Sequence, residues 1–192
     1  MDYTYILVVI GAIICLIASA RMNSTFNRYQ RVRSMSGMTG AMAAERILRD
    51  AGIHDVQVQH VSGNLTDHYN PMNKTLSLSD SVYNSTSVAA VGVAAHECGH
   101  AIQHQEGYAP LKLRSFSVPL ANIGSRLSSN LAWPLIIIGL IFRGSMSTVL
   151  IQAGIIMFSL AVLFQLITLP VEFNASHRAM QQLERTGIFR RK

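Results

Sequence analysis

Residues 87–104 read SVAAVGVAAHECGHAIQH, and this stretch decides the fold. No proline interrupts its 18 positions, and its first half is apolar on every face, the pattern of a helix packed inside protein or beside lipid. The second half carries His96-Glu97-Cys98-Gly99-His100, an H-E-x-x-H sequence. On a helix His96 and His100 stand one turn apart on the same face, so both imidazoles can reach one ion. Neutral imidazole suits Zn²⁺, and a catalytic zinc site takes three protein ligands and keeps one position open for water. Glu97 projects beside that position, where a carboxylate takes the proton of the attacking water and returns it to the leaving amine. At this chain's composition the pattern arises by accident about 0.007 times, so a zinc hydrolase is expected rather than the solvated end of a surface helix.

A third ligand must come from elsewhere in the chain. The metzincin pattern needs Gly at 103 and His at 106; those positions hold Gln103 and Glu106, which excludes that class. His104 continues the histidine stripe but lies about 12 Å along the helix from His96, too far to share an ion. Glu106 falls past the expected helix end and stands second in line. Glu172, in Pro170-Val171-Glu172-Phe173-Asn174-Ala175-Ser176, is the strongest candidate. It follows the last of three apolar runs, and two runs separate it from His100, which returns both segments to the same side of a bilayer.

Upstream of the motif the chain is mixed α and β. Thr39 is a suitable N-cap, Ala41 to Leu48 are mostly good helix formers, and Gly52 stands where a helix stops. Asp55–Val61 and Lys74–Asp80 alternate apolar with polar residues and are expected to be half-buried strands, the second leading into the motif helix as an edge-type strand. The intervening GNLTDHYNPMN is dense in turn formers and is expected to be a loop.

Of the 192 residues 49% are hydrophobic and only 14% charged, and mean hydropathy is +0.28, which argues against a disordered or wholly soluble chain. Residues 3–20 carry no charge and span about 27 Å as a helix. Residues 146–170 form a second long run, and residues 125–142, which include Pro134, a third, with Arg126 at its edge. The expected class is therefore an integral membrane α+β protein with about three transmembrane helices around a small zinc-peptidase domain: an N-terminal span at 1–20, a peptidase region at 21–124, a membrane hairpin at 125–170 and a C-terminal helix at 171–192. Nine Lys and Arg residues fall in 21–124 and five after Pro170. The positive-inside rule accordingly puts the N-terminus outside and the active site and C-terminus in the cytoplasm of a multi-pass cell-membrane protein. Ala18-Ser19-Ala20 mimics a signal-peptidase site, but the residues before it carry Asp2 and no basic residue, so an uncleaved anchor is expected. Cys15 and Cys98 cannot build a disulfide framework. The net charge of +6 comes without an aromatic-interleaved basic patch, which excludes a nucleic-acid partner; the Arg28–Arg33 cluster suits anionic lipid head groups.

The chain resembles the YugP-type family of neutral membrane zinc metallopeptidases, in the gluzincin group. The likeness rests on HYNP (His68–Pro71), KTLSLSDSVY (Lys74–Tyr83), AAHECGHAIQH (Ala94–His104) and LPVEFNASHRA (Leu169–Ala179). It implies a mini-gluzincin domain of helix, short antiparallel sheet and motif helix, acting on a peptide or protein substrate. By the same resemblance His96, His100 and Glu172 are the zinc ligands and Glu97 the catalytic base. It also implies that Thr75, Leu76, Ser77, Leu78 and Ser79 form an edge strand pairing with substrate backbone, and that Arg178, or else His177, stabilises the oxyanion. Tyr69 and Tyr83 are further donors. Two positions depart from the family pattern: Asn174 stands in place of an Asp, and Cys98, off the ligand face, in place of a Val-like residue. Two rivals have distinct signatures. A site-2-type intramembrane protease requires a longer apolar lead-in than Ser87–Ala95 and a later Asp-Gly ligand motif, and a metal-binding scaffold has no use for Glu97.

Overall fold

A computed structural model describes residues 3–113, 137–138 and 145–189. Along the chain run α1 (Tyr3–Gln30), α2 (Gly40–Asp50), β1 (Gln57–His60), β2 (His68–Asn70), β3 (Thr75–Leu78), α3 (Val88–Gln105) and α4 (Ser145–Arg185). They divide into two compact units, Met1–Ala101 with Arg178–Lys192, and Ile102–His177.

In the first unit α2 has both its ends fixed by local chemistry. Thr39 Oγ1 accepts from the amide of Met42 at 3.2 Å, relieving one unpaired first-turn donor. Gly52 turns the chain at φ +72°, and the amides of Gly52 and Ile53 return to the carbonyls of Arg49 and Leu48 at 3.1 and 2.9 Å. This is a Schellman stop, completed by burial of Leu48 and Ile53. Between the caps, Ala43, Ala44 and Ile47 are fully buried.

The sheet corrects two expectations. Its order is β1-β3-β2, with β1 parallel to β3 (Gln57 opposite Thr75) and β2 antiparallel to it (His68 opposite Ser77). The sheet is thus mixed rather than antiparallel. Thr75–Leu78 is the middle strand, not an edge, and both its hydrogen-bonding sides are occupied. The cause lies in the stretch expected to be a loop: GNLTDHYNPMN contains β2, which a tight turn folds back on β3, with Asn70 Oδ1 accepting from the Met72 amide at 2.9 Å and Lys74 in the left-handed region at φ 53°. Alternation reports how deeply a strand is buried, not which neighbours it has. Nor are Ser77 of β3 and Ser79 just beyond it solvent-facing. Ser77 and Ser79 are buried because each has a partner: Ser77 Oγ accepts from Gln59 Nε2 at 3.0 Å, and Ser79 donates through its amide and hydroxyl to Asp67 at 2.8 and 2.9 Å.

The segments leading into α2 and α3 are stitched together. Ser34 donates to Thr86, Val88 to Val32 and Gly40 to Ser85 through backbone amides at 2.8–3.0 Å, and Ser87 Oγ then caps α3 by accepting from Ala90 at 3.1 Å. The C-terminal residues belong to the same unit, with Leu183 and Ile188 buried. In the second unit Ile102, Gln103, Leu111, Val171 and Ala175 are buried, and α4 runs unbroken through Pro170.

The three-span architecture is not what this structure supports. Among the described residues no helix is long and apolar enough to cross a membrane. The first and last apolar runs are not helices in their own right. Residues 3–20 share α1 with Arg21, Asn23, Asn27 and Arg28, and residues 146–170 share α4 with Glu172, Asn174, His177 and Arg178. A continuous backbone ladder carries each helix past the point where hydropathy changes. The middle run, 125–142, lies outside the described residues apart from 137–138. With the spans goes the basis for the N-out orientation.

Candidate metal centre

Helix α3 owes its position to small residues. Ala90, Val91, Ala94, Ala95 and Cys98 are fully buried, an i, i+1, i+4, i+5, i+8 stripe that places the backbone close to its neighbours. Cys98 Sγ donates to the carbonyl of Ala44 at 3.6 Å, and burial, reinforced by the charge of Glu97, pushes its thiol well above the ordinary range. It is a packed thiol facing away from the histidines.

Beside this stripe the two histidines meet edge to face, their ring centroids 4.9 Å apart at 85°. His100 is buried, His96 half-buried, and Glu97 between them retains only 8% exposure. His96, His100 and Glu172 each offer one ligand atom, all within 4.8 Å of one another. Ligands on a tetrahedral zinc stand about 3.4 Å apart, so small side-chain rotations close the group on an ion. Two imidazoles and one carboxylate are a donor set that zinc accepts. Among the described residues His104 and Glu106 do not belong to this group.

His177 is exposed and Arg178 half-buried; at 100° per residue they lie about 140° and 120° around α4 from Glu172. Thr75–Ser79 offers no free edge. Tyr69, on β2, has its hydroxyl pushed up to about 12 by burial and by the charge of Asp55, while Tyr83 packs edge-on against His60 at 5.5 Å. A groove lined by Met42, Glu45, Arg46, Arg49 and Arg185 includes none of the metal-group residues.

Sequence reasoning missed Gln103, which entered only as a mismatch to another motif. It is fully buried, and its Nε2 donates to the carbonyl of Val171 and to Asn174 Oδ1, each at 2.9 Å. The available signal was its spacing, three residues beyond His100 and so on nearly the same face.

A family profile described as "Putative neutral zinc metallopeptidase" matches residues 4–192. The chain belongs to this family. Among curated proteins, the "Putative membrane protease YugP" of Bacillus subtilis (strain 168) is 47% identical over 173 residues, covering 90% of this chain and 74% of the relative. No solved structure matches. Membership in the neutral zinc metallopeptidases implies zinc, which agrees with the donor set formed by His96, His100 and Glu172.

Proposed function

We propose that this metallopeptidase hydrolyses peptide bonds with one Zn²⁺ held by His96, His100 and Glu172 and with Glu97 as general base. The observation that carries the reading is the convergence of three ligand atoms from α3 and α4 within 4.8 Å, with a carboxylate one residue from His96. When bound, zinc lowers the pKa of water and polarises the scissile carbonyl. The protein's own residues do the rest. His96, His100 and Glu172 would hold the ion. Glu97, 8% exposed, takes the proton of the attacking water and hands it to the departing amine nitrogen.

The Bacillus subtilis relative is named a membrane protease, and we carry that association to this chain. Ile13, Ile14, Leu16 and Ile17 on α1 and Leu163 and Leu166 on α4 are exposed, and apolar exposure of this kind marks a surface that meets lipid or protein.

Elemental mass spectrometry on the purified wild type and on Glu172→Ala tests the ligand set. About one zinc per chain, lost in the variant, is expected; undiminished zinc in Glu172→Ala would remove Glu172 from the site. Zinc bound by a wild type that cleaves no peptide would favour a metal-binding scaffold instead.

A further inference from the structure

We infer that Gln103 is a positioning residue for the metal centre, clasping the segment of α4 that carries Glu172; the inference rests on the zinc reading above. Gln103 lies about 4.5 Å along α3 from His100 and about 60° around it, so whatever it holds is held in register with the histidine. Its two bonds straddle Glu172: Val171, whose carbonyl accepts one, immediately precedes the carboxylate, and Asn174, whose Oδ1 accepts the other, follows by two residues.

The orientation of the amide is fixed by chemistry. A backbone carbonyl only accepts, so the nitrogen of Gln103, not its oxygen, must face Val171. That nitrogen carries two hydrogens, and the two acceptors take one each. Gln103 and Val171 are both fully buried, so water cannot replace the donor if it is lost. Neither helix can slide or rotate at this level without breaking a buried bond. A purely apolar contact would fix distance but leave rotation about the α4 axis free, and that rotation is what aims Glu172. Groups hydrogen-bonded to a ligand itself typically control metal affinity by 10–100-fold; Gln103 acts one link further out, through the neighbours of Glu172, so the lower end of that range is expected.

The test is Zn²⁺ affinity by chelator competition, with the visible absorption of the Co²⁺-substituted protein as a report of ligand geometry. Gln103→Leu keeps the bulk and removes both donors; it is expected to weaken Zn²⁺ binding about 10-fold and to alter the Co²⁺ spectrum. Asn174→Ala, which removes one acceptor, should shift both in the same direction by less, and Asn174→Asp, which keeps the acceptor, should restore them. Ile47→Ala supplies the control for general loss of packing: it should lower the melting temperature and leave metal affinity unchanged. Wild-type affinity and spectrum in both Gln103→Leu and Asn174→Ala overturn the proposal while the zinc reading stands. If Gln103→Leu does not fold, Asn174→Ala decides alone. A wild type that takes up no zinc, or a His96→Ala variant that binds it equally well, sinks the zinc reading and this inference with it.

Discussion

Arg46 on α2 donates from Nη2 to the main-chain carbonyl of Thr186 at 2.8 Å, closing a contact across 140 residues of sequence. Thr186 lies one residue beyond the end of α4, where helix carbonyls lack intrahelical partners. A guanidinium there satisfies the acceptor and offsets the negative end of the helix dipole. Arg46 is exposed and Thr186 buried, whereas in the neighbouring pair, Arg185 with Asp50 at 3.0 Å, both side chains reach solvent. Arg46→Met, which keeps the aliphatic stem, should therefore lower stability by about 1.5–3 kcal/mol, whereas Asp50→Asn should cost about 0–1 kcal/mol. Urea unfolding of the two variants compares them, and equal losses would show that the bond to buried Thr186 has no special weight.

Glu97 and Glu172 are expected to fail differently. Glu97→Gln removes the proton acceptor and no ligand, so peptide cleavage should fall by about two to four orders of magnitude with zinc content unchanged. Glu172→Ala should lose both together. Wild-type turnover in Glu97→Gln would refute the assignment of the base.

Much of this was legible in the sequence, and what was not has identifiable causes. The bounds of α2 could be read because Thr39 and Gly52 act within a few residues of themselves. The motif helix could be read because H-E-x-x-H constrains both spacing and face; Glu172 does lie beside the two histidines, but the argument from two intervening membrane spans that singled it out is not supported. The position of β3 in the sheet was not legible, since β2 is three residues long and sits among turn formers, and no local pattern states which strand pairs with which. Ser77 and Ser79 look like solvent-facing residues until Gln59 and Asp67 supply their partners. The spans failed for a related reason: hydropathy marks where apolar residues cluster but does not mark where a helix ends. Gln103 was invisible because its partners are 68 and 71 residues away.

The two cysteines should separate cleanly under alkylation. Cys15 is exposed and Cys98 fully buried, its hydrogen given to Ala44. Attack on an alkylating reagent requires the thiolate, which burial disfavours at Cys98. Native protein treated with N-ethylmaleimide at neutral pH should carry one adduct, at Cys15, and a second should form only after denaturation. Peptide mapping by mass spectrometry reads this directly; early labelling of Cys98 would mean that α3 separates from the Ala44 backbone in the native state.

Tyr69 sets an upper pH limit on the sheet. Its hydroxyl is raised from 10.0 to about 12, first by burial and then by the negative charge of Asp55. The folded state therefore holds the phenol proton more tightly than the unfolded chain does. The resulting stability is fully present below pH 10, where both states are protonated, and is lost as pH rises from 10 through about 12, because the unfolded chain ionises first. Tyr69→Phe cannot ionise and should flatten that part of the stability curve, leaving the curve below pH 10 parallel to wild type. Denaturant midpoints measured between pH 8 and 11.5 provide the comparison, together with the ultraviolet titration of the tyrosinate band, in which a late-titrating component should be lost in Tyr69→Phe. An unchanged alkaline slope in the variant would assign the loss to other groups and separate β2 from the pH limit.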